Sequence, residues 1–289
     1  MIKVNGVKFN DSEFHNGEVI LEKPEVLKNN ELNTVELIFK DNRDIANLMF
    51  LMEYINETLD VEFIDTTVEL IMKYCPYERM DREINNQMFS MKYFARIIST
   101  MGFDRVKILD PHSEVCIEQL EKAGIEVQIL DLEYYVKKVI EDFKPDYICY
   151  PDKGARTKYS KVLRNIEIPY FYGSKKRDLA NNGKIIEYEL VDAPELKDKK
   201  VLIIDDICCL GGTAYNAAVE MKRAGASEVA FYISHCEDGI FAGKILEKNK
   251  IIFNGKETHF TGEGYTIDRV YTADTMKLNN EHKNIIIVN

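Results

Sequence analysis

Residues 201–213 read VLIIDDICCLGGT, and this stretch decides the predicted fold. Its first four residues form a continuous apolar run, which is typical of a strand buried on both faces of a parallel sheet. Two acids, Asp205 and Asp206, end the run, and a glycine turn leads into residues 213–224, which have the apolar spacing of a helix. The stretch therefore predicts a strand, a turn and a helix N-terminus, whose backbone N–H groups and dipole favour a phosphate.

The two acids give the predicted turn a second binding function. Neighbouring carboxylates can accept hydrogen bonds from the 2- and 3-hydroxyls of a ribose, or hold a bound Mg²⁺. An ordinary strand-to-helix turn with a helix cap is the alternative. A buried strand followed by two acids and Gly-Gly-Thr is, however, much more specific than a single glycine motif.

The strand–helix rhythm continues on both sides of this stretch. Apolar runs predict strands within residues 1–6 and at residues 35–39, 63–75 (less regular), 106–109, 127–130, 147–150, 201–204 and 229–233. Apolar spacing near 3.6 predicts helices at residues 44–59, 86–101, 114–123, 132–143, 213–224 and 239–249. This alternation predicts an α/β fold with open parallel sheets, in which ligands bind beyond the carboxyl ends of the strands.

Length and composition bound the class of protein. The 289 residues, 45% of them hydrophobic, suffice for two similar domains of about 140 residues, which we place at residues 1–140 and 141–289. A net charge of −11 opposes nucleic-acid binding, and the apolar runs are far shorter than the roughly 20 residues of a membrane span. The N-terminus lacks the features of a secretory signal, so we expect a cytoplasmic location. Six cysteines without a CxxC pair are expected to be buried thiols.

Residues 201–213 resemble the ribose-phosphate-binding motif of type I phosphoribosyltransferases and of ribose-phosphate diphosphokinases, the phosphoribosyl pyrophosphate (PRPP) synthetases. The resemblance to the second family extends over nearly the whole chain. It implies two similar open parallel-sheet domains of the type I phosphoribosyltransferase kind, the first binding the nucleotide and the second the ribose phosphate and pyrophosphate. The residues it assigns to the ribose phosphate are Asp205, Asp206, Cys209, Leu210, Gly211, Gly212 and Thr213.

Two N-terminal segments resemble nucleotide-binding motifs of the same family. FHNGE at residues 14–18 resembles Phe-x-Asp-Gly-Glu, which contacts the ATP base across a subunit contact, and YERMDR at residues 77–82 resembles a segment with Arg-Gln-Asp-Arg. The resemblance implies a homo-oligomer, at least a dimer, and the nucleotide-binding residues Phe14, Asn16, Glu18, Arg79, Asp81 and Arg82. Asn16 replaces an acid of the family pattern. A core position for Phe14 and a solvated surface pair for the two arginines are the alternatives.

Three further segments resemble the metal and phosphate sites of the family. Asp110-Pro111-His112 resembles Asp-Leu-His, whose histidine helps to hold the magnesium of MgATP, so His112 and Asp110 are candidate metal ligands. The segment Asp152, Lys153 and Gly154 resembles the pyrophosphate loop, with Asp152 as a second Mg²⁺ contact. Each segment has a structural alternative, a hydrogen-bonded histidine or a simple turn.

Lys175 and Arg177 match a Lys-x-Arg that begins the catalytic flexible loop of the family, here residues 178–184. In the family this loop closes over the reacting phosphates. Two cations at that position would stabilise a loose phosphoryl transition state, to which one such contact contributes on the order of 3 kcal/mol. A solvated surface charge run is the alternative.

The resemblance implies a pyrophosphate transfer from MgATP to the C1 hydroxyl of a phosphorylated ribose, with release of AMP. The family loop reads Asp-Thr-Gly/Ala-Gly-Thr where this chain has Cys209-Leu210-Gly211-Gly212-Thr213. The lost hydroxyl would donate to a 5-phosphate, a contact worth about 1.5–3 kcal/mol. Ribose 5-phosphate and ADP-ribose therefore both stay open as acceptors. A non-catalytic regulatory subunit and a phosphoribosyltransferase are the alternative functions.

Overall fold

The structure is a computed structural model that describes residues 1–24, 27, 32–62, 66–178, 184–248, 251–253, 256–258 and 264–289, without the side chains of residues 177, 178, 184–186, 251–253 and 256–258. The chain folds into two compact units. The N-terminal unit comprises Met1–Leu130 with Thr275–Lys277, and the C-terminal unit comprises Asp131–Asp274 with Leu278–Asn289. The C-terminal unit begins ten residues before the domain that we predict to start at residue 141, so the helix at residues 132–143 lies wholly in this unit. The predicted domain division stays a prediction.

The N-terminal unit contains eight described strands and three described helices. The strands are β1 (Ile2–Val4), β2 (Val7–Lys8), β3 (Asp11–Glu13), β4 (Val19–Leu21), β5 (Leu32–Leu37), β6 (Thr67–Ile71), β7 (Arg105–Ile108) and β8 (Glu126–Ile129). The helices are α1 (Asn42–Val61), α2 (Ser90–Ser99) and α3 (Glu114–Lys122).

The sheet of this unit has the strand order β2-β1-β5-β6-β7-β8. Strands β5 to β8 are parallel, and β1 is antiparallel to both of its neighbours. Apolar side chains of the sheet and of α1, α2 and α3 form one buried core. A capping box begins α1, because Asp41 accepts from the helix backbone and the Asp44 side chain accepts from the Asp41 N–H.

The C-terminal unit contains the remaining described elements. The strands are β9 (Tyr147–Tyr150), β10 (Tyr170–Asp178), β11 (Lys184–Val191), β12 (Lys200–Cys208), β13 (Glu228–Cys236), β14 (Ile251–Phe253), β15 (Lys256–Thr258), β16 (Arg269–Ala273) and β17 (Ile285–Val288). The helices are α4 (Leu132–Phe143), α5 (Lys153–Val162) and α6 (Gly212–Arg223), and a 3₁₀ helix spans Asp238–Ala242.

Seven of these strands form a sheet with the order β11-β10-β9-β12-β13-β16-β17. Only the edge strand β11 is antiparallel within this sheet. The central strand β12 is buried on both faces, because Val201 and Ile203 pack with α6 in the main core while Leu202 and Ile204 are fully buried on the opposite face. This confirms the strand predicted from VLIIDD, which extends on to Cys208.

The predicted α/β architecture is confirmed, whereas some predicted elements are wrong or shorter. The helix expected at residues 239–249 is a 3₁₀ turn over Asp238–Ala242, because Gly239 and Gly243 lie so close to the backbone of Cys209 and Leu210 that no side chain fits there. The helix expected at residues 86–101 is confined to Ser90–Ser99. The irregular strand expected at residues 63–75 spans Thr67–Ile71, and residues 63–65 lie outside the described part.

The cysteines are mostly buried, as the composition predicts. None of the six, all of which the structure describes, forms a disulfide, and all but Cys209, which is partly exposed, are buried. Burial raises the pKa of Cys75, Cys149 and Cys208 well above the usual range of a thiol. Among the described residues, no helix combines the length and apolar character that a membrane crossing requires.

Candidate functional site

In the C-terminal unit, a side chain of β10 meets the segments that follow β9 and β12 at the carboxyl ends of those strands. Lys175, on β10, joins them: its Nζ donates to the carboxylate of Asp152 and, at 3.5 Å, to Thr213 Oγ1. Asp152 follows β9 and caps α5, since its Oδ1 accepts from the Ala155 N–H at 2.9 Å. Thr213 lies in the first turn of α6, which follows β12. The structure therefore brings together a predicted residue from the pyrophosphate loop, the catalytic strand and the ribose-phosphate loop.

The electrostatics at Asp152 favour its ionised form. Burial alone would raise the pKa of this carboxyl, but hydrogen bonds from Lys175 and from the backbone N–H groups of Ala155 and Gly154 outweigh it and hold the pKa below its usual range. Lys153 and Gly154 are exposed in the first turn of α5. An anionic, partly buried carboxylate is thus available at the start of this helix.

The two acids of the motif occupy the end of β12. The Asp206 N–H donates to Asp205 Oδ1 at 3.1 Å, and Asp206 Oδ1 accepts from the Ile207 N–H at 2.7 Å. Burial raises the pKa of Asp205 well above its usual range, and the negative charges of Asp206 and Asp152 act in the same direction. The three acids therefore form one interacting electrostatic group, in which Asp205 binds a proton more readily than a solvent-exposed aspartate does.

The loop from Cys209 to Thr213 is shaped by glycine. Gly211 is the residue before α6 and has a left-handed backbone with φ of +70°. A side chain there would also run into Ile245. The N-terminus of α6 has no side-chain cap, so its first-turn N–H groups are available to a phosphate. Leu210 is 55% exposed and Cys209 is partly exposed beside this turn.

Gly173 and Tyr188 pack together and hold the segment that follows β9. Tyr188, on β11, is buried and donates from its hydroxyl to the Pro151 carbonyl at 2.8 Å. Its ring crosses Gly173, where a side chain would overlap the phenol. Sequence reasoning missed both roles, because neither residue belongs to a motif that carries chemistry. Lys158, which pairs with Asp206 Oδ2 at 3.4 Å, was missed as well.

Arg177 also belongs to β10, but its side chain lies outside the described part of the structure. The same holds for residues 179–183 of the predicted catalytic loop, between β10 and β11. Their proposed contributions therefore stay predictions.

In the N-terminal unit, the segment from Phe14 to Glu18 is the tip of the β3–β4 hairpin. The Phe14 N–H donates to the Glu18 carbonyl at 2.9 Å, and Asn16 Nδ2 donates to the Glu18 carboxylate at 2.9 Å. Phe14 is 58% exposed, so a core role is excluded for it within this unit. Arg43 anchors the hairpin to the first turn of α1, because its guanidinium donates to Asp11 and Glu13 at 2.6 Å each.

The loops that follow β6 and β7 contact one another in the same unit. The His112 N–H donates to Glu78 Oε2 at 3.2 Å, and Ser113 Oγ donates to Asp81 Oδ2 at 2.9 Å. Asp110 is buried and has a positive φ of 47°, which shapes the turn before His112. The structure thus brings the predicted segments 77–82 and 110–112 together, at the carboxyl ends of neighbouring parallel strands.

The basic side chains of the predicted segments 77–82 and 110–112 are accessible. Arg79, Arg82 and His112 are exposed, and Arg82 Nε lies 3.4 Å from Asp81 Oδ1. Within the described residues, no group of three or more His, Cys, Asp or Glu side chains is arranged to hold a metal by itself. The ionised carboxylate of Asp152 is nevertheless the kind of oxygen ligand that Mg²⁺ prefers. Mg²⁺ usually takes one or two such carboxylates, and substrate phosphates supply further ligands.

Known proteins resemble this chain in sequence and in fold. Residues 124–261 match the phosphoribosyl transferase domain family. A ribose-phosphate pyrophosphokinase of Sulfurisphaera tokodaii is 26% identical over 86% of this chain and 82% of its own length, and one of Saccharolobus solfataricus is 27% identical over 79% and 76%. The crystal structure of phosphoribosylpyrophosphate synthetase from Mycobacterium smegmatis has the same fold, with a TM-score of 0.67 over 97% of this chain, 85% of that chain and 16% identity.

Proposed function

Because this chain belongs to the ribose-phosphate pyrophosphokinase family, we propose that it transfers the pyrophosphate group of MgATP to the C1 hydroxyl of a phosphorylated ribose and releases AMP. In this reaction the C1 oxygen forms a bond to the β-phosphorus, and the bond from that phosphorus to the oxygen shared with the α-phosphate breaks. The hydroxyl proton is lost, and AMP leaves with the bridging oxygen. No covalent enzyme intermediate is needed.

One observation carries the proposal: the Lys175 ammonium lies between the Asp152 carboxylate and the Thr213 hydroxyl. It thereby connects the loop that we assign to pyrophosphate with the loop that we assign to the sugar phosphate. A cation at this position would stabilise the charge that spreads over the phosphoryl oxygens in the transition state. We propose the same role for Arg177, two residues along β10.

The sugar side of the proposed site uses the end of β12 and the start of α6. Asp205 and Asp206 would accept from the ribose hydroxyls, and the N–H groups of Gly211, Gly212 and Thr213 would donate to the phosphate. The left-handed backbone of Gly211 and the uncapped α6 N-terminus support this assignment. These residues would bind and orient the acceptor, so that C1 is aligned for attack.

The nucleotide side of the proposed site uses the N-terminal unit. We propose that Phe14, Asn16 and Glu18 bind the ATP base, and that Arg79, Asp81 and Arg82 bind near its phosphates. The exposed ring of Phe14 suits stacking on a base, and the exposed arginines suit phosphate binding. The family pattern implies that the hairpin serves a neighbouring subunit, so we propose a homo-oligomer, which light scattering after size-exclusion chromatography would test.

We propose that His112 and Asp110 would help to hold the Mg²⁺ of MgATP, and that Asp152 would contact a second Mg²⁺. Lys175 keeps the Asp152 carboxylate ionised, and Mg²⁺ is usually held by one or two carboxylates together with substrate phosphates. When bound, Mg²⁺ would offset negative charge on the ATP phosphates.

Ribose 5-phosphate is the first candidate acceptor, since the relatives are named ribose-phosphate pyrophosphokinases. ADP-ribose is the second, because Leu210 presents an exposed apolar side chain where the family loop carries a hydroxyl. The larger 5-substituent of ADP-ribose could pack against such a side chain. The two acceptors would give PRPP and ADP-ribose pyrophosphate, respectively.

The purified protein should be incubated with MgATP and, in separate reactions, with ribose 5-phosphate or ADP-ribose, while AMP and the sugar product are followed by mass spectrometry. AMP release together with an acceptor that has gained two phosphates supports the proposed function and identifies the acceptor. A protein that releases no AMP with either one would instead suit a regulatory subunit. Consumption of PRPP and a base without ATP would indicate a phosphoribosyltransferase.

A further inference from the structure

Lys158 occupies an unusual position for a lysine in the middle of a helix. It lies on α5, and its Nζ is 3.4 Å from Asp206 Oδ2. The Lys158 and Asp206 side chains are only 22% and 11% exposed. The Nζ atom is also 5.1 Å from the centre of the Tyr159 ring. A charge that is removed from water in this way is costly unless a charged partner compensates for it, and Asp206 is such a partner.

Lys175 and Lys158 contact different acids in the C-terminal unit. Lys175 contacts Asp152 and Thr213, on the side that we assign to the transferred phosphates, whereas Lys158 contacts Asp206, on the side that we assign to the sugar. The two ammonium groups therefore offset different parts of the same acidic cluster. Loss of Lys175 should therefore lower mainly kcat, whereas loss of Lys158 should raise mainly KM for the sugar.

Both carboxylate oxygens of Asp206 have a partner. Its Oδ1 accepts from the Ile207 N–H at 2.7 Å, and its Oδ2 lies 3.4 Å from Lys158 Nζ. These contacts orient the carboxylate at the end of β12, where the proposed function places the ribose.

We propose that Lys158 is a positioning residue for the acceptor sugar: it holds the Asp206 carboxylate in the orientation that binds the ribose hydroxyls. The proposal rests on the proposed function only in assigning a ribose phosphate to the end of β12. It adds a determinant that lies 48 residues from Asp206 and outside the residues 201–213.

Binding and turnover should be measured separately in four proteins: the unchanged chain, Lys158→Met, Lys158→Arg and Lys161→Met. Lys161 is an exposed lysine of the same helix and serves as the matched control. Calorimetry with ribose 5-phosphate, and with ADP-ribose as a second probe, reports binding without ATP. Steady-state kinetics with MgATP then give KM for sugar and nucleotide, and kcat.

Loss of a hydrogen bond to a charged group predicts that Lys158→Met weakens sugar binding about tenfold. We expect KM for the sugar to rise by a similar factor, while KM for MgATP and kcat change little, and Lys158→Arg to restore most of the binding. Unchanged sugar binding in Lys158→Met would overturn the inference, as would equal losses in Lys158→Met and Lys161→Met, or failure of the unchanged chain to bind either sugar. Sugar binding that depends on Lys158 without AMP release would retain the inference and remove the proposed function.

Discussion

The loops of the two units differ in how their charged side chains are held. In the C-terminal unit the charged residues contact one another, as Lys175 does with Asp152 and Lys158 with Asp206. In the N-terminal unit the acids Glu78 and Asp81 hold the backbone and a serine of the neighbouring loop, while the basic side chains are exposed. Rigid groups lose little entropy when they bind. We therefore propose that the C-terminal loops are arranged in advance for chemistry, whereas the N-terminal loops provide a frame with accessible cations.

Lys175→Ala is expected to have the largest effect. The variant should lose about 10²–10³-fold in kcat, because one preorganised contact to a transition-state charge is removed. KM for the sugar should change much less. Turnover is measured as AMP release under saturating MgATP. Lys176→Ala is the matched control, since Lys176 is the exposed neighbour on the same strand. Full turnover in Lys175→Ala would show that the contacts of Lys175 in the C-terminal unit have no catalytic role.

Gly211→Ala tests whether the C-terminal loop depends on its backbone shape. An added side chain would occupy a left-handed conformation and overlap Ile245, so we expect a loss of about 3 kcal/mol in the free energy of unfolding and weaker sugar binding. Gly212→Ala is the control, because a Cβ there meets no atom within 4 Å. Denaturant unfolding followed by circular dichroism measures the difference. Equal stability of the two variants would show that the turn before α6 accommodates a side chain at residue 211.

Phe14→Ala examines the N-terminal unit in the same way. Because Phe14 is 58% exposed, its removal should leave the melting temperature unchanged. Loss of base stacking, worth about 1–3 kcal/mol, should raise KM for MgATP about tenfold without changing KM for the sugar. Phe50→Ala is the control, since Phe50 is 59% exposed on α1, outside the predicted sites. Equal kinetics in both variants would mean that the hairpin has no part in nucleotide binding.

The pH dependence of stability should show a smaller effect. Lys175 lowers the pKa of Asp152, so their pairing stabilises the fold above the usual aspartate range, and this contribution is lost as the pH falls through the lowered pKa. We expect the unfolding free energies of the unchanged chain and Lys175→Ala to differ by about 1 kcal/mol near neutral pH. The difference should shrink in acid. A difference that grew toward low pH would contradict the assigned sign.

The sequence predicted the parts of this comparison that are encoded locally. The apolar run before Asp205 predicts a buried central strand, and Gly211-Gly212-Thr213 predicts the start of α6. The predicted helix at residues 132–143 has the bounds of α4. These features depend on residues within one or two turns of each other, so short-range patterns contain the information.

Contacts between distant residues could not be predicted in this way. Lys158 and Asp206 are 48 residues apart, and Arg43 anchors acids that are 30 and 32 residues away. The predicted helix at residues 239–249 has the apolar spacing of a helix, but Gly239 and Gly243 are required where this segment packs against Cys209 and Leu210. Tertiary packing overrides the local pattern there.

The central claim is a pyrophosphate transfer to the C1 hydroxyl, and isotope tracing tests it most directly. Ribose 5-phosphate and ADP-ribose that carry a heavy oxygen isotope at C1 should each be incubated with the protein and MgATP, and every product analysed by mass spectrometry. We expect unlabelled AMP and a sugar that has gained two phosphates and kept the heavy isotope in its bond to phosphorus. Formation of ADP with a sugar that has gained only one phosphate, loss of the isotope from the product beyond its loss from the unreacted sugar, or no AMP with either sugar would contradict this transfer.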